Sequence, residues 1–432
     1  MEAAVAKIRS IFLGTQEKRI IAENTAWLTV AEAITRLSKF ALIVYATRIL
    51  GPTGFGQFSF ALSFVMIFTV FADLGLSQII SREISQRKKG ELEFNNILSL
   101  KIIISFIVLL AVVIIAQITI SDLLVRQSVL ILLVFMFTNT ISDFLFSFFQ
   151  ARKNMRYEAY TRIIQAVAST ILGFLLLSQT QTTVGLTISY ALAGLISLIY
   201  ISILYFLKRR KSSSVKTRWL QFQTWKKYLM MSWPLILTGI FAMIYNEIDS
   251  VMMGYYGQIK EVGLYNASYR AMWVILVPCL LIYRTFFPII NENYFKSTET
   301  YKRIWKYYLR ISLFMAVPTL LFGILLANQI IIFVFGPDYS GAVTSFQVLI
   351  GVAGLTLLSF PFNQGLIAAN KQKKVFFATF WGALINIILN LVLIPRYSLN
   401  GAALATLIAV SVVLLLQGAY YLKIDKVQRG LV

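Results

Sequence analysis

The sequence predicts an all-α polytopic membrane protein with about twelve transmembrane helices, arranged as two parallel six-helix repeats around a central cleft. Apolar runs of about twenty residues recur along the chain, and that is the length at which a helix crosses the hydrocarbon core. Of the 432 residues, 58% are hydrophobic and 13% are charged. A net charge of +22 on so apolar a chain indicates a membrane protein and excludes a basic nucleic-acid binder.

The predicted spans fall into two sets of six. Those of the first half lie at about 24–49, 56–79, 97–116, 127–150, 160–178 and 184–207. Those of the second half lie at about 229–253, 263–290, 307–328, 342–369, 375–394 and 399–422.

The positions of Lys and Arg predict the orientation of these spans. Of the 40 cations, 31 lie in seven segments that alternate with six connections, and the connections hold only Arg126, Lys260 and Arg396. Cations near span ends stay preferentially on the cytoplasmic side. Both termini are therefore predicted to be cytoplasmic, which requires an even number of spans.

The same pattern predicts the domain organisation. We expect an interfacial helix at 1–22, a first lobe at 23–207, a cytoplasmic amphipathic linker at 208–228, a second lobe at 229–422 and a cytoplasmic tail at 423–432. In the linker, Trp219, Phe222 and Trp225 recur at helical spacing among cations, which favours a helix lying at the headgroups. A calmodulin-like partner site is the alternative for this segment.

An internal repeat supports two copies of one six-span unit. Residues 56–60 align with residues 263–267 at an offset of 207, and residues 151–154 align more weakly with residues 370–373 at an offset of 219. Six spans return the chain to its starting side, so the two copies have the same orientation and are related by an axis along the membrane normal.

Several kinds of chemistry are excluded by composition. The chain has no histidine, and Cys279 is its one cysteine, so the usual zinc and haem ligand sets and histidine-based triads are absent. We find no phosphate-binding loop and no dinucleotide fingerprint. The sequence therefore predicts a protein that is not an enzyme and has no cofactor or metal, with a proton or sodium ion as a possible coupling ion.

Motifs in both halves resemble the polysaccharide-export (Wzx-like) flippases of the multidrug/oligosaccharidyl-lipid/polysaccharide (MOP) superfamily. In the first half these are the stretches at 47–52, 54–58, 72–76 and 81–83, which read TRILGP, GFGQF, ADLGL and SRE. In the second half they are the stretches at 233–235, 248–254, 261–267 and 336–339, which read WPL, IDSVMMG, EVGLYNA and GPDY.

The resemblance implies a flippase that moves an oligosaccharide linked to undecaprenyl pyrophosphate, such as an O-antigen or capsule repeat unit, from the cytoplasmic to the outer leaflet of a bacterial inner membrane. Alternating access, ion-gradient coupling and contact with other polysaccharide-assembly proteins are the accompanying expectations. Two alternatives remain open at this point. One is a multidrug or cation antiporter of the same superfamily, and the other is a membrane polysaccharide polymerase or glycosyltransferase.

Cations inside predicted spans are the candidate substrate-binding residues. A central Arg or Lys costs on the order of 2.5–3.5 kcal/mol in a span, so such side chains are expected to face a cavity. Arg36 and Lys39 share one face of the first span with Glu32, and we expect them to hold the pyrophosphate. Arg270 and Arg284 form a stripe along the eighth span that can pass an anionic headgroup between two depths, with snorkelling as the alternative for Arg284.

Acids within spans are candidates for ion coupling or for a gate. Asp143, Glu247 and Asp249 are the acids considered, with Glu32 as the partner of the first-span cations. Asp249 has two equally favoured roles. It either forms an ion pair with Arg48, near the outer ends of repeat-related helices, or binds the coupling ion. Asp73 is expected to stabilise a helix end instead.

Overall fold

The computed structural model describes residues 16–86, 89–209, 221–294 and 297–428. Some side chains within these ranges lie outside the description, and that of Arg284 is one of them. Most of the predicted interfacial helix at 1–22, the centre of the linker and the end of the tail also lie outside the described residues. Within the described ranges all regular structure is helical.

The helices follow one another with short connections. In the first half they are α1 (Gln16–Asp73), α2 (Leu76–Gln86), α3 (Lys89–Thr119), α4 (Leu123–Ala151), α5 (Arg156–Thr180) and α6 (Thr183–Arg209). In the second half they are α7 (Phe222–Tyr255), α8 (Ile259–Tyr294), α9 (Thr298–Leu325), α10 (Ala327–Phe335), α11 (Val343–Ala368) and α12 (Gln372–Gln428), with a 3-10 turn at Pro337–Ala342.

The chain is a multi-pass membrane protein. Within the described ranges, nine helical stretches are apolar and long enough to cross a bilayer. Two of them, Glu23–Gln86 and Gln372–Lys423, are 64 and 52 residues long, and a helix needs only about 20 residues for one crossing. Helix α8, with 36 residues, contains the eighth predicted span. These lengths are compatible with the predicted twelve crossings.

Both long helices contain a break where the sequence predicts that two spans meet. In α1 the break is at Gly51, whose φ of 62° and ψ of −179° are non-helical, and Pro52 follows it. In α12 the break is at Ser398, with a φ of 52° and a ψ of −131°, three residues after Pro395. Proline lacks the N–H that a continuous helix needs, and glycine accepts a positive φ without a Cβ clash.

Contacts divide the chain into two compact units. Unit 1 comprises Met1–Ile49 and Phe64–Ile240, and unit 2 comprises Leu50–Ser63 and Phe241–Val432. The start of the second predicted span therefore groups with the second half of the chain, and the start of the seventh groups with the first half. The predicted lobes at 23–207 and 229–422 are defined by sequence and stay a prediction.

The aromatic core of unit 1 lies between α3, α4 and α6. The Phe94 ring lies 4.9 Å from Phe144, 5.4 Å from Phe148 and 5.3 Å from Tyr205, measured between ring centroids. The Tyr205 hydroxyl donates to Asn95 Oδ1 at 2.7 Å, so this buried polar group is satisfied.

The described end of the linker packs into unit 1. Trp225 Nε1 donates to the side-chain oxygen of Asn96 at 2.8 Å, and the Tyr228 hydroxyl donates to Glu93 at 2.6 Å. Burial, together with the neighbouring Glu93 carboxylate, raises the pKa of the Tyr228 phenol. The predicted headgroup location of this segment stays a prediction: the Trp225 indole N–H has a protein acceptor, while Phe222 is 75% exposed.

In unit 2, two glycines that the sequence repeat aligns lie against each other. A Cβ placed on Gly56 would overlap the carbonyl oxygen of Ile259, and a Cβ on Gly263 would overlap that of Pro52. Positions 52 and 259 are separated by the same 207 residues as positions 56 and 263. Reciprocal contacts of this kind are what a two-fold relation between α1 and α8 produces. Glycine is required at both positions because the two backbones touch.

Candidate functional site

Asp249 of α7 lies at the centre of a polar cluster in unit 2 and is 5% exposed. Tyr265 of α8 and Thr406 of α12 donate hydroxyl hydrogen bonds to its Oδ2 at 2.5 Å and 2.8 Å. Asn390 of α12 donates to its Oδ1 at 2.5 Å and also to Asn386 at 3.1 Å. The described donors to this carboxylate are all neutral groups.

The cluster around Asp249 is rich in oxygen atoms. Asn390 Oδ1 is buried and has no hydrogen-bond partner, although the amide nitrogen of the same side chain is bonded to the carboxylate. A buried carboxylate whose described donors are all neutral, next to an oxygen with unused acceptor capacity, is suited to taking up a proton or a small hard cation. No cluster of three or more His, Cys, Asp or Glu occurs within the described ranges, so any ion here is held largely by neutral oxygens.

The predicted gate pair places Asp249 with Arg48. The contacts of Asp249 described above are formed by unit 2, whereas Arg48 is an exposed residue of unit 1. The pairing stays a prediction. The amide and hydroxyl donors of α12 were missed from the sequence, because uncharged Asn and Thr in an apolar helix give no signal until the fold brings them to an acid.

Arg270 of α8 lies near Glu247 of α7 in unit 2. Its guanidinium carbon is 5.8 Å from the centroid of the Phe55 ring. Its positive charge acts on the Glu247 carboxyl, which also accepts a hydrogen bond from the Ser63 hydroxyl. Arg270 is half-buried, and its Nε has no hydrogen-bond partner. A half-buried guanidinium with a free donor is the arrangement expected of an anion-binding residue.

Arg36 in unit 1 pairs with Glu32 one helical turn away. Arg36 Nε lies 2.5 Å from Glu32 Oε1, and the two side chains are 35% and 41% exposed. The i, i+4 spacing predicts this pair, and the exposure leaves the guanidinium accessible. Lys39 is exposed on the same helix, and the Arg284 side chain lies outside the described residues.

Arg162 of α5 is an ionic residue of unit 1 that the sequence interpretation placed with the cytoplasmic cations. Its Nε lies 2.9 Å from Glu158, and its terminal nitrogen lies 3.4 Å from the exposed Asp143 of α4. The charge of Glu32 also acts on Arg162. The i, i+4 spacing of Glu158 and Arg162 was the available signal. The predicted acid Asp143 is thus paired with a cation.

Lys101 of α3 is a second cation whose location the sequence did not reveal. Its side chain is fully buried, and its Nζ lies 2.6 Å from Asp73 Oδ1. Asp73 also accepts from the Gly75 backbone N–H at 3.1 Å and from the Ser77 hydroxyl at 2.6 Å. As expected from the sequence, Asp73 stabilises the end of α1, where Gly75 has a positive φ of 68°.

The chain is similar over most of its length to known proteins. A family model described as "Polysaccharide biosynthesis protein" matches residues 21–294, and one described as MatE matches residues 234–392. A probable low-salt glycan biosynthesis flippase, Agl15 of Haloferax volcanii, is 22% identical over 93% of this chain and 83% of its own. The probable flippase AglR of the same organism is 26% identical over 44% of this chain and 39% of its own.

Solved structures have the same fold. A multidrug resistance MATE family transporter of the MOP superfamily, in an inward-facing conformation, superposes with a TM-score of 0.73 over 91% of this chain and 96% of its own, at 14% identity. The lipid II flippase MurJ superposes with a TM-score of 0.72 over 90% of this chain and 86% of its own, at 16% identity. The predicted family is confirmed: the chain belongs to the family described as "Polysaccharide biosynthesis protein".

Proposed function

We propose that this protein is a flippase for oligosaccharides linked to undecaprenyl pyrophosphate, acting by alternating access in a bacterial cytoplasmic membrane with both termini in the cytoplasm. The observation that carries the proposal is Arg270, a half-buried guanidinium with an unpartnered Nε inside an apolar helix. Moving a pyrophosphate through hydrocarbon is prohibitive without such a partner. The name of the relative Agl15, a probable low-salt glycan biosynthesis flippase, supports a glycan as part of the cargo.

The cargo has two chemically different ends in this proposal, a charged pyrophosphate and an apolar polyprenyl tail. Arg270 in unit 2 and, separately, the accessible cations Arg36 and Lys39 in unit 1 are each candidate partners of the pyrophosphate, and Glu32 neutralises Arg36 when no cargo is bound. Arg284, which lies on the same helix as Arg270, is the remaining candidate for this role. The polyprenyl tail stays in lipid, so the protein moves only the polar end.

A proton or sodium ion bound at Asp249 drives the cycle in this proposal. The donors to this carboxylate among the described residues are neutral, so an added cation supplies the missing charge. An ion that binds one conformation more tightly than the other shifts the population between them. Glu247, two residues away and near Arg270, is suited to sensing cargo at the same time.

Transport into proteoliposomes tests the cargo. Arg270→Ala is expected to lower the rate of flipping of an undecaprenyl-pyrophosphate-linked oligosaccharide about 10- to 100-fold, because a charge-assisted hydrogen bond contributes about 1.5–3 kcal/mol. The rate is measured as the appearance of the sugar to an external lectin. Arg310→Ala is the matched control, since Arg310 is an exposed cation of α9 and is expected to have the wild-type rate.

A wild-type rate for Arg270→Ala would remove this residue from the mechanism. If the protein flips no glycan lipid but exchanges a cationic drug for protons, the flippase proposal fails in favour of a multidrug antiporter. Formation of a new glycosidic bond in the vesicles would instead indicate a polymerase or glycosyltransferase.

The coupling ion is tested separately. Flipping by the wild type is expected to accelerate when a proton or sodium gradient is imposed, and Asp249→Asn is expected to abolish that response because the amide cannot bind a proton or balance a cation. Asp122→Asn is the control, since Asp122 is an exposed N-cap of α4 and asparagine caps a helix equally well. A wild-type response in Asp249→Asn would exclude this carboxylate as the coupling site.

A further inference from the structure

Unit 2 contains a cavity of about 250 Å³ between α7, α8, α11 and α12. Its polar lining includes Tyr245, Tyr269, Trp273, Asn246, Asn363 and Gln417. Asn246 is exposed and the three aromatic side chains are half-buried, so the cavity is open to entry. None of the described residues that line it carries a charge, in contrast to the surroundings of Arg270 and Arg36.

This lining suits a sugar ring better than a phosphate or a cation. A pyranose has apolar C–H faces and a rim of hydroxyl groups, each of which both donates and accepts. Aromatic side chains cover such faces, and Tyr and Trp add a polar group at the edge. Side-chain amides offer both donors and acceptors to hydroxyls. A pyrophosphate, in contrast, requires cationic partners, which are absent from the described lining.

The volume fits one ring. A cavity of about 150 Å³ holds a benzene molecule, so about 250 Å³ accommodates a six-membered ring together with its hydroxyl groups. Gln417, which lines the cavity, is 2% exposed, and its Oε1 has no hydrogen-bond partner. A ligand in the cavity can supply the missing donor. An unpaired buried amide oxygen is costly until a donor is supplied.

The cavity is connected to the Asp249 cluster by two contacts. Thr406 lines the cavity and also donates to Asp249 Oδ2 at 2.8 Å. Tyr269 lines the cavity and stacks on Tyr265 with a centroid distance of 5.9 Å, and the Tyr265 hydroxyl donates to the same carboxylate. A ring bound in the cavity therefore lies against Thr406, which donates to Asp249, and against Tyr269, which stacks on a second donor to that carboxylate.

We propose that this cavity is a subsite for one neutral sugar ring of the cargo and that its occupancy is coupled to the ion at Asp249. The inference rests on the proposed glycan-lipid transport and adds where the sugar binds. Because coupling between two binding sites is reciprocal, a sugar that favours ion binding is itself bound more tightly when the ion is present.

Binding of three lipids to the purified full-length protein tests the subsite. The probes are undecaprenyl pyrophosphate and the same lipid carrying one glucose or one galactose. The wild type is expected to bind at least one of the sugar-bearing lipids 10-fold or more tightly than the sugar-free lipid. Trp273→Ala and Gln417→Leu are expected to remove that difference and leave the affinity for the sugar-free lipid unchanged, which also shows that the variants are folded.

The controls separate this inference from the proposed function. Trp381→Ala is the matched control, since Trp381 lies on α12, is 46% exposed and does not line the cavity. Arg270→Ala is expected to weaken binding of all the lipids equally. The subsite is overturned if the wild type does not distinguish the lipids, or if Trp273→Ala retains the difference or weakens all lipids alike. The proposed function fails instead if the wild type binds no pyrophosphate lipid.

Discussion

Two aspartates, one in each unit, accept a similar number of hydrogen bonds but differ in charge balance. Asp73 in unit 1 accepts from a fully buried ammonium group, a hydroxyl and a backbone N–H. Asp249 in unit 2 accepts from two hydroxyls and an amide. The first carboxylate is neutralised by a lysine of its own unit, whereas the second has no charged donor among its described hydrogen bonds.

The difference separates a structural acid from one suited to ion exchange. A buried ammonium without a counter-charge is costly, so Lys101 and Asp73 must remain paired. The pair holds α3 against the turn between α1 and α2. A carboxylate surrounded by neutral donors is stable enough to persist but still gains from an added cation. The number of hydrogen bonds alone would not distinguish the two sites. They differ in whether one of the donors carries a positive charge.

The same substitution at both sites gives the largest expected contrast. Asp73→Asn leaves Lys101 buried without its counter-charge and is expected to lower the free energy of unfolding by about 3–5 kcal/mol. Asp249→Asn removes an uncompensated charge, which stabilises the fold, but it also loses charge-assisted hydrogen bonds, which destabilises it. Because the two effects offset each other, we expect the free energy of unfolding to change by no more than about 1 kcal/mol. Unfolding of the detergent-purified variants by denaturant titration measures both values. Equal losses at the two positions would contradict the distinction.

A double variant sharpens the comparison with a smaller net effect. The double variant Asp73→Asn with Lys101→Met is expected to have a free energy of unfolding within about 1 kcal/mol of that of the wild type. Substituting both members of a buried ion pair is often nearly neutral for stability. The double variant should therefore unfold at a higher denaturant concentration than Asp73→Asn alone. If it is no more stable than the single variant, the lysine is not what makes Asp73 indispensable.

Local spacing predicted contacts along one helix but not contacts between helices. The Glu32 and Arg36 pair and the role of Asp73 at a helix end both follow from residues within about one turn of each other. The partner of Asp73 was missed, since Lys101 lies 28 residues away and was counted with the cytoplasmic cations. Asn390 and Thr406 lie 141 and 157 residues from Asp249, with no charge to identify them.

By themselves, composition and the position of each cation determined that the chain is helical and spans the membrane repeatedly, and they predicted which cations could meet an anionic cargo. The physical reason is that the bilayer limits span length and penalises each charge independently of distant residues. Tertiary structure alone decided which acid is neutralised by a lysine, which acid has neutral groups as its described donors, and where the cavity with an uncharged described lining lies. Those outcomes depend on helix packing, which brings together groups that are far apart in the chain.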